Sequence, residues 1–114
     1  MIGEYLRVIE LEFQGYNVTT QVLYQDPTTG LKSFVDITAY RDVPVTDDSA
    51  QRYYLFEEIK TGNGVMTNNQ IAVMGAISDG IAIPLGPRST FAQLTPGVSL
   101  IDQGVRPINP LTPK

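Results

Sequence analysis

Cysteine and histidine are both missing from this sequence of 114 residues. Without cysteine there is no disulfide, no thiolate zinc site and no cysteine nucleophile. Without histidine the chain lacks the commonest general base and the commonest transition-metal ligand. Enzymatic chemistry here must run on carboxylates, lysine, hydroxyls and a hard, oxygen-preferring cation. No stretch approaches the roughly 18 apolar residues of a membrane-spanning helix. The opening MIGEYLRVIELEF carries acids where a signal peptide carries basic residues and then an unbroken apolar run. A soluble chain with no membrane segment is predicted. Positive charge is scarce as well: 8 Lys and Arg against 12 Asp and Glu give a net charge of -4, a balance that weighs against phosphate binding by a basic surface.

What is present suits one globular domain over residues 1–114, with 42% hydrophobic residues to build a single core. From Gly3 to Gln14, Leu6, Ile9 and Phe13, flanked by Tyr5, Val8 and Leu11, recur at helical spacing, and Gly15 follows where a left-handed cap would sit. Tyr16–Tyr24 and Leu31–Tyr40 are rich in β-branched and aromatic residues and flank DPTTG, a turn composition, so two strands are predicted there. Residues 41–52, RDVPVTDDSAQR, read as a polar surface loop, and Tyr53–Lys60 as a third strand. A second helix is predicted to start near Asn68 and to end at Asp79-Gly80, and IAIPL at 81–85 to form a fourth strand parallel to its neighbour. Pro87, Pro96, Pro107, Pro110 and Pro113 make the last quarter an extended, proline-rich segment. The expectation is an α/β fold, a mixed four-stranded sheet flanked by helices.

Chemistry concentrates on two of these strands. Alternation places Glu58 and Lys60 on one face, and Asp36 with Phe34 and Thr38 on one face of the preceding strand. Two carboxylates on neighbouring strands make an oxygen-rich cage for Mg²⁺ or Mn²⁺, which polarises a phosphoryl oxygen and lowers the pKa of a bound water. A lysine beside them orients that water or offsets charge building on phosphorus. Asp36 lies between Val35 and Ile37, where an unpaired carboxylate is costly, and this favours a partner such as a metal.

Asp36 followed by Glu58-Ile59-Lys60 resembles the signature of the PD-(D/E)xK nuclease superfamily, the restriction-endonuclease-like fold, and the resemblance covers residues 3 to about 85. The run EIKTGNGVMTNNQ is similar to the E-x-K-T-G…T-x-x-Q of nuclease toxin domains in bacterial contact-dependent inhibition and polymorphic toxin proteins. Carried over, the resemblance implies a metal-dependent DNase with Asp36, Glu58 and Lys60 as catalytic residues and Gln70 as an auxiliary polar group. Asp36 and Glu58 then ligate Mg²⁺, with Mn²⁺ or Zn²⁺ as alternatives, and Glu4 on the first helix completes the set. It further implies delivery within a larger effector, action in the target-cell cytoplasm and a cognate immunity protein. Val35 stands where the family name has proline, and Glu57 competes with Glu58 for the motif. Strand alternation selects Glu58, and a β-bulge would select Glu57.

Plainer readings stand beside these. Asp36, Glu58 and Lys60 also fit a solvated sheet face with an ion pair, Glu4 a favourable charge at a helix start, and Thr67 with Gln70 a capping box. Glu10 and Glu12 read as surface acids, and Lys32, Arg41, Arg52, Arg88 and Arg106 as scattered candidate phosphate contacts. Two functions compete with the DNase: cleavage of RNA or DNA processing on the same fold, and a non-catalytic interaction domain.

Overall fold

A computed structural model describes residues 2–59 and 64–107. Lys60 and the prolines at 110 and 113 lie outside the described residues. Helix α1 (Ile2–Phe13) leads into β1 (Asn17–Gln25), β2 (Lys32–Thr46) and β3 (Ser49–Glu57), then α2 (Asn68–Asp79), β4 (Ile83–Leu85), α3 (Arg88–Phe91) and a 3₁₀ turn at Ile101–Gln103. The four strands form one sheet in the order β3-β2-β1-β4, and every neighbouring pair is antiparallel.

Short-range chemistry fixes the joints. Between β1 and β2 the buried Asp26 closes the turn: Oδ1 accepts from the Thr28 N–H at 3.0 Å, Oδ2 from the Thr29 hydroxyl at 2.8 Å, and the carbonyl from Gly30 N–H at 2.7 Å. Gly30 has φ 79°, a conformation that glycine adopts without penalty. Helix α2 opens on a complete capping box and stops at Gly80, φ 81°, where Ile81 N–H closes back on the Ala76 carbonyl at 3.0 Å.

The expected parallel fourth strand is corrected: β4 pairs antiparallel with β1, Ile83 opposite Gln25 and Leu85 opposite Leu23. The reason lies in where α2 begins and ends. Asn69 donates to the Lys32 carbonyl at 2.9 Å, Lys32 pairs with Gln25, and Gln25 pairs with Ile83. The crossover therefore starts and finishes at the same end of the sheet, and the chain re-enters against its exit direction. Pro84 sits on this edge strand, where a missing N–H is tolerated.

Two further expectations are corrected. Residues 41–52 are no loop: β2 and β3 continue through them as a hairpin turning at Asp47-Asp48, with the pair Asp42–Arg52 in register and a bulge at Val45 accommodating Pro44. The last quarter is not simply extended, since α3 and the 3₁₀ turn bring Ala92, Leu94, Leu100 and Val105 into the core.

The core has two parts. One lies under α2 and the C-terminal segment and holds Val22, Tyr24, Val35, Phe56, Val73 and Ile77; the Tyr24 hydroxyl, whose pKa burial pushes up, shares a 2.8 Å hydrogen bond with Thr38. The other lies under α1 and holds Leu11, Ile37, Ala39 and Leu55, with Val8, Val18 and Ile59 against it. Helix α1 turns Glu4, Arg7, Val8 and Leu11 toward the sheet and leaves the stripe of Tyr5, Leu6, Ile9 and Phe13 exposed, Phe13 at 93%. The periodicity that announces this helix belongs to its outer face.

Candidate functional site

The strand register places three polar residues in one row. The pairing of β1 with β2 sets Thr20 opposite Ile37 and Val22 opposite Val35, so Gln21 stands across from Asp36; the β2–β3 pairing sets Ile37 opposite Glu57, so Glu58 follows at the level of Asp36. Helix α1 adds Glu4 on one side and α2 adds Gln70 on the other.

Hydrogen bonds join the row from end to end. Gln21 Nε2 donates to Glu4 Oε1 at 3.2 Å and to Asp36 Oδ1 at 3.0 Å. The second oxygen of Asp36 accepts from Ile59 N–H at 2.8 Å, and the Asp36 N–H donates to Glu58 Oε1 at 3.0 Å. Glu58 Oε2 accepts from Gln70 Nε2 at 2.9 Å. Gln70 Oε1 in turn accepts from Thr67 N–H at 2.8 Å, and Gln70 N–H donates to the Thr67 hydroxyl at 3.2 Å. One glutamine therefore caps α2 and holds Glu58 at once. All five side chains of the row are partly buried.

Electrostatics follow from this crowding. Burial is the main reason the Glu58 carboxyl is pushed up to about 7, and the charges of Asp36 and Glu4 add to it; the hydrogen bonds from the Asp36 N–H and from Gln70 oppose the rise. Its neighbour Glu57 points to the other face, where Arg7 Nε donates to it at 2.7 Å and a second guanidinium nitrogen also bonds it. Arg7 bonds Glu10 as well. Of the two glutamates in the motif, Glu58 is the one beside Asp36 and Gln70. Lys60 lies outside the described residues.

Among the described residues no three acidic side chains converge closely enough to hold an ion as they stand. The spacing explains this: the Gln21 amide is interposed between Glu4 and Asp36, and Asp36 and Glu58 meet through a backbone N–H. Carboxylate oxygens are nevertheless the ligand type that a hard divalent cation takes, and Glu4 and Asp36 already share one amide donor where a positive charge would sit.

Three of the five candidate phosphate contacts are otherwise engaged. Arg52 forms a two-pronged pair with Asp42 at 2.7 and 2.9 Å and lies over the Tyr40 ring, Arg41 lies over Tyr16, and Arg88 donates to the Thr20 carbonyl at 2.7 Å. Arg52 and Arg106 line an open cleft of about 530 Å³ that shares no residue with the acidic row.

Gln21 is the site residue that the sequence reading missed. A register count from the DPTTG turn outward, Gln25 to Lys32 and so on, would have set it opposite Asp36. No helix among the described residues is long and apolar enough to cross a membrane. No family model, no curated protein and no solved structure matches this chain.

Proposed function

We propose that the chain is a metal-dependent nuclease of the PD-(D/E)xK kind, acting on DNA as a toxin domain of bacterial competition and held in check by a cognate immunity protein. The observation that supports this reading is the row Glu4–Gln21–Asp36–Glu58–Gln70, because its hydrogen bonds join four of the residues that the motif resemblance singles out, Glu4, Asp36, Glu58 and Gln70, through the amide of Gln21 and the backbone of Asp36. A divalent cation bound there supplies a polarised phosphoryl oxygen and a water of lowered pKa.

Asp36, Glu58 and Glu4 would hold the ion. Gln70 fixes the second oxygen of Glu58 and is itself fixed by the cap of α2, so the carboxylate is oriented before substrate arrives. Lys60, two residues after Glu58, would orient the attacking water or offset charge on phosphorus. Toxin delivery, action in a target cytoplasm and the immunity partner rest on the likeness of EIKTGNGVMTNNQ to the toxin run.

The test is incubation of the purified protein with plasmid DNA and with tRNA, each with Mg²⁺ and with EDTA. Cleavage of plasmid only, abolished by EDTA, is the expected result; cleavage of tRNA alone moves the substrate to RNA. A non-catalytic interaction domain is favoured by the exposed apolar stripe of α1, and inertness toward both nucleic acids with every divalent metal would establish that reading instead.

A further inference from the structure

Gln21 departs from its strand in a way that propensity does not explain. Its φ is 56°, in the left-handed region, where a residue other than glycine, asparagine or aspartate is strained. The ladder with β2 keeps a constant register on both sides of it and omits only the pair Gln21–Asp36. Inward-facing residues change sides at this point: Val18 packs under α1, whereas Val22 and Tyr24, of the same parity, pack under α2. The kink is braced from outside, since Arg88 of α3 donates to the Thr20 carbonyl at 2.7 Å and to the Thr20 hydroxyl at 3.2 Å. Strain that the surroundings hold in place is concentrated where a side chain must be aimed.

What is aimed is a primary amide with two donor hydrogens, set between Glu4 and Asp36. Resting on the metal-site reading above, we infer that Gln21 is a positioning residue whose amide stands in for the cation: it bridges Glu4 and Asp36 in the metal-free protein and is displaced when the ion binds. The bridge does two things. It satisfies two crowded carboxylates that would otherwise repel, and it keeps them too far apart to close on an ion, which accords with the unconverged acidic side chains. Metal binding must break both hydrogen bonds, and hydrogen bonds to charged groups are the strong kind. The amide thus lowers metal affinity while keeping the ligands in order.

The test is calorimetric titration of Mn²⁺ and of Mg²⁺ into metal-free wild type, Gln21→Gly and Gln21→Met. Glycine relieves the φ strain and removes the amide; methionine removes the amide, keeps the length and leaves the strain, so agreement between them assigns the effect to the amide. The expected result is a Kd about tenfold lower in both variants, with a larger rise of Tm on metal addition than in wild type. Binding by the variants but not by wild type is the same effect in stronger form. If wild type binds and both variants bind equally or more weakly, Gln21 is a ligand or an inert neighbour and the inference is overturned while the metal site stands. If none of the three binds either ion, the metal-site reading fails and this inference falls with it. Circular dichroism of each variant confirms that the fold is kept.

Discussion

The carboxyl of Glu58 makes the metal-free protein sensitive to pH in a direction opposite to most carboxylates. It is pushed from the ordinary value of 4.5 to about 7 by burial first and by Asp36 and Glu4 next. Between these two values the folded chain holds a proton that the unfolded chain has released, so stability falls as pH rises through that window. Below 4.5 both states are protonated and the penalty is absent; above 7 both are ionised and it is complete. Taken whole, the difference corresponds to roughly 3.4 kcal/mol, and the water that reaches this half-buried group reduces it to about 1–2 kcal/mol. The Asp42 carboxyl, lowered by Arg52, acts the other way: its contribution is lost only as pH falls below the ordinary 3.8, outside this window.

Urea unfolding in EDTA at pH 5 and pH 8, for wild type and Glu58→Ala, reads the effect as a difference of differences. Alanine is the better comparison, because a glutamine there would turn its own NH₂ toward one of the two donors, the Asp36 N–H or Gln70 Nε2. Wild type is expected to lose about 1–2 kcal/mol more than the variant on going to pH 8. Adding Mg²⁺ or Mn²⁺ at pH 8 should restore wild type, by about 2.7 kcal/mol at a hundred times the dissociation constant. Parallel pH profiles for the two proteins would refute the burial of an uncompensated charge at Glu58.

Asp36→Ala, Glu58→Ala and Lys60→Ala should each abolish nuclease activity in the plasmid assay with the circular dichroism spectrum unchanged, a loss of at least a hundredfold in rate being about 2.7 kcal/mol of transition-state stabilisation. Glu57→Ala should keep activity within a few-fold, since its carboxylate belongs to Arg7 on the α1 side. The same variant should lose about 1 kcal/mol in urea unfolding, as expected for a partly buried, hydrogen-bonded ion pair. Thr67→Ala should lose about 1 kcal/mol from the cap and also reduce activity several-fold, because freeing Gln70 frees Glu58; unchanged activity in a destabilised Thr67→Ala would separate the cap from the site.

The elements were legible wherever short-range chemistry decides them. DPTTG announces a turn because an aspartate side chain can satisfy the backbone N–H two residues on, and Thr67-Asn68-Asn69-Gln70 announces a helix start because the capping box is local. The direction of β4 was not legible, because it depends on α2 returning the chain to the end of the sheet it had just left, a property of three-dimensional packing. The hairpin at 41–52 was obscured by composition: Asp42, Asp47 and Asp48 read as loop residues, whereas the pairing of Asp42 with Arg52 and the bulge that absorbs Pro44 let the strands continue. The spacing of Leu6, Ile9 and Phe13 marks α1 as a helix but not which face it buries, because the sheet offers Gln21 and Glu57 as partners and so recruits Glu4 and Arg7 inward.

The site divides along the same line. Asp36 and Glu58 meet where the β2–β3 register is continued one residue past the end of β3, and Gln70 reaches Glu58 because its place as the third residue of α2 aims its amide there while the cap holds its oxygen. Gln21 follows a different logic. Nothing in VTTQVLY marks a left-handed residue, since glutamine has neither the missing Cβ of glycine nor the short side chain with which asparagine stabilises that conformation locally. Its conformation is set from three directions at once, by Arg88 on the Thr20 carbonyl, by the change of core from α1 to α2 between Val18 and Val22, and by two carboxylates that need a donor. A residue whose geometry is dictated entirely by its surroundings carries no local signature. In this chain it stands between Glu4 and Asp36, at the point where the proposed ion would have to displace it.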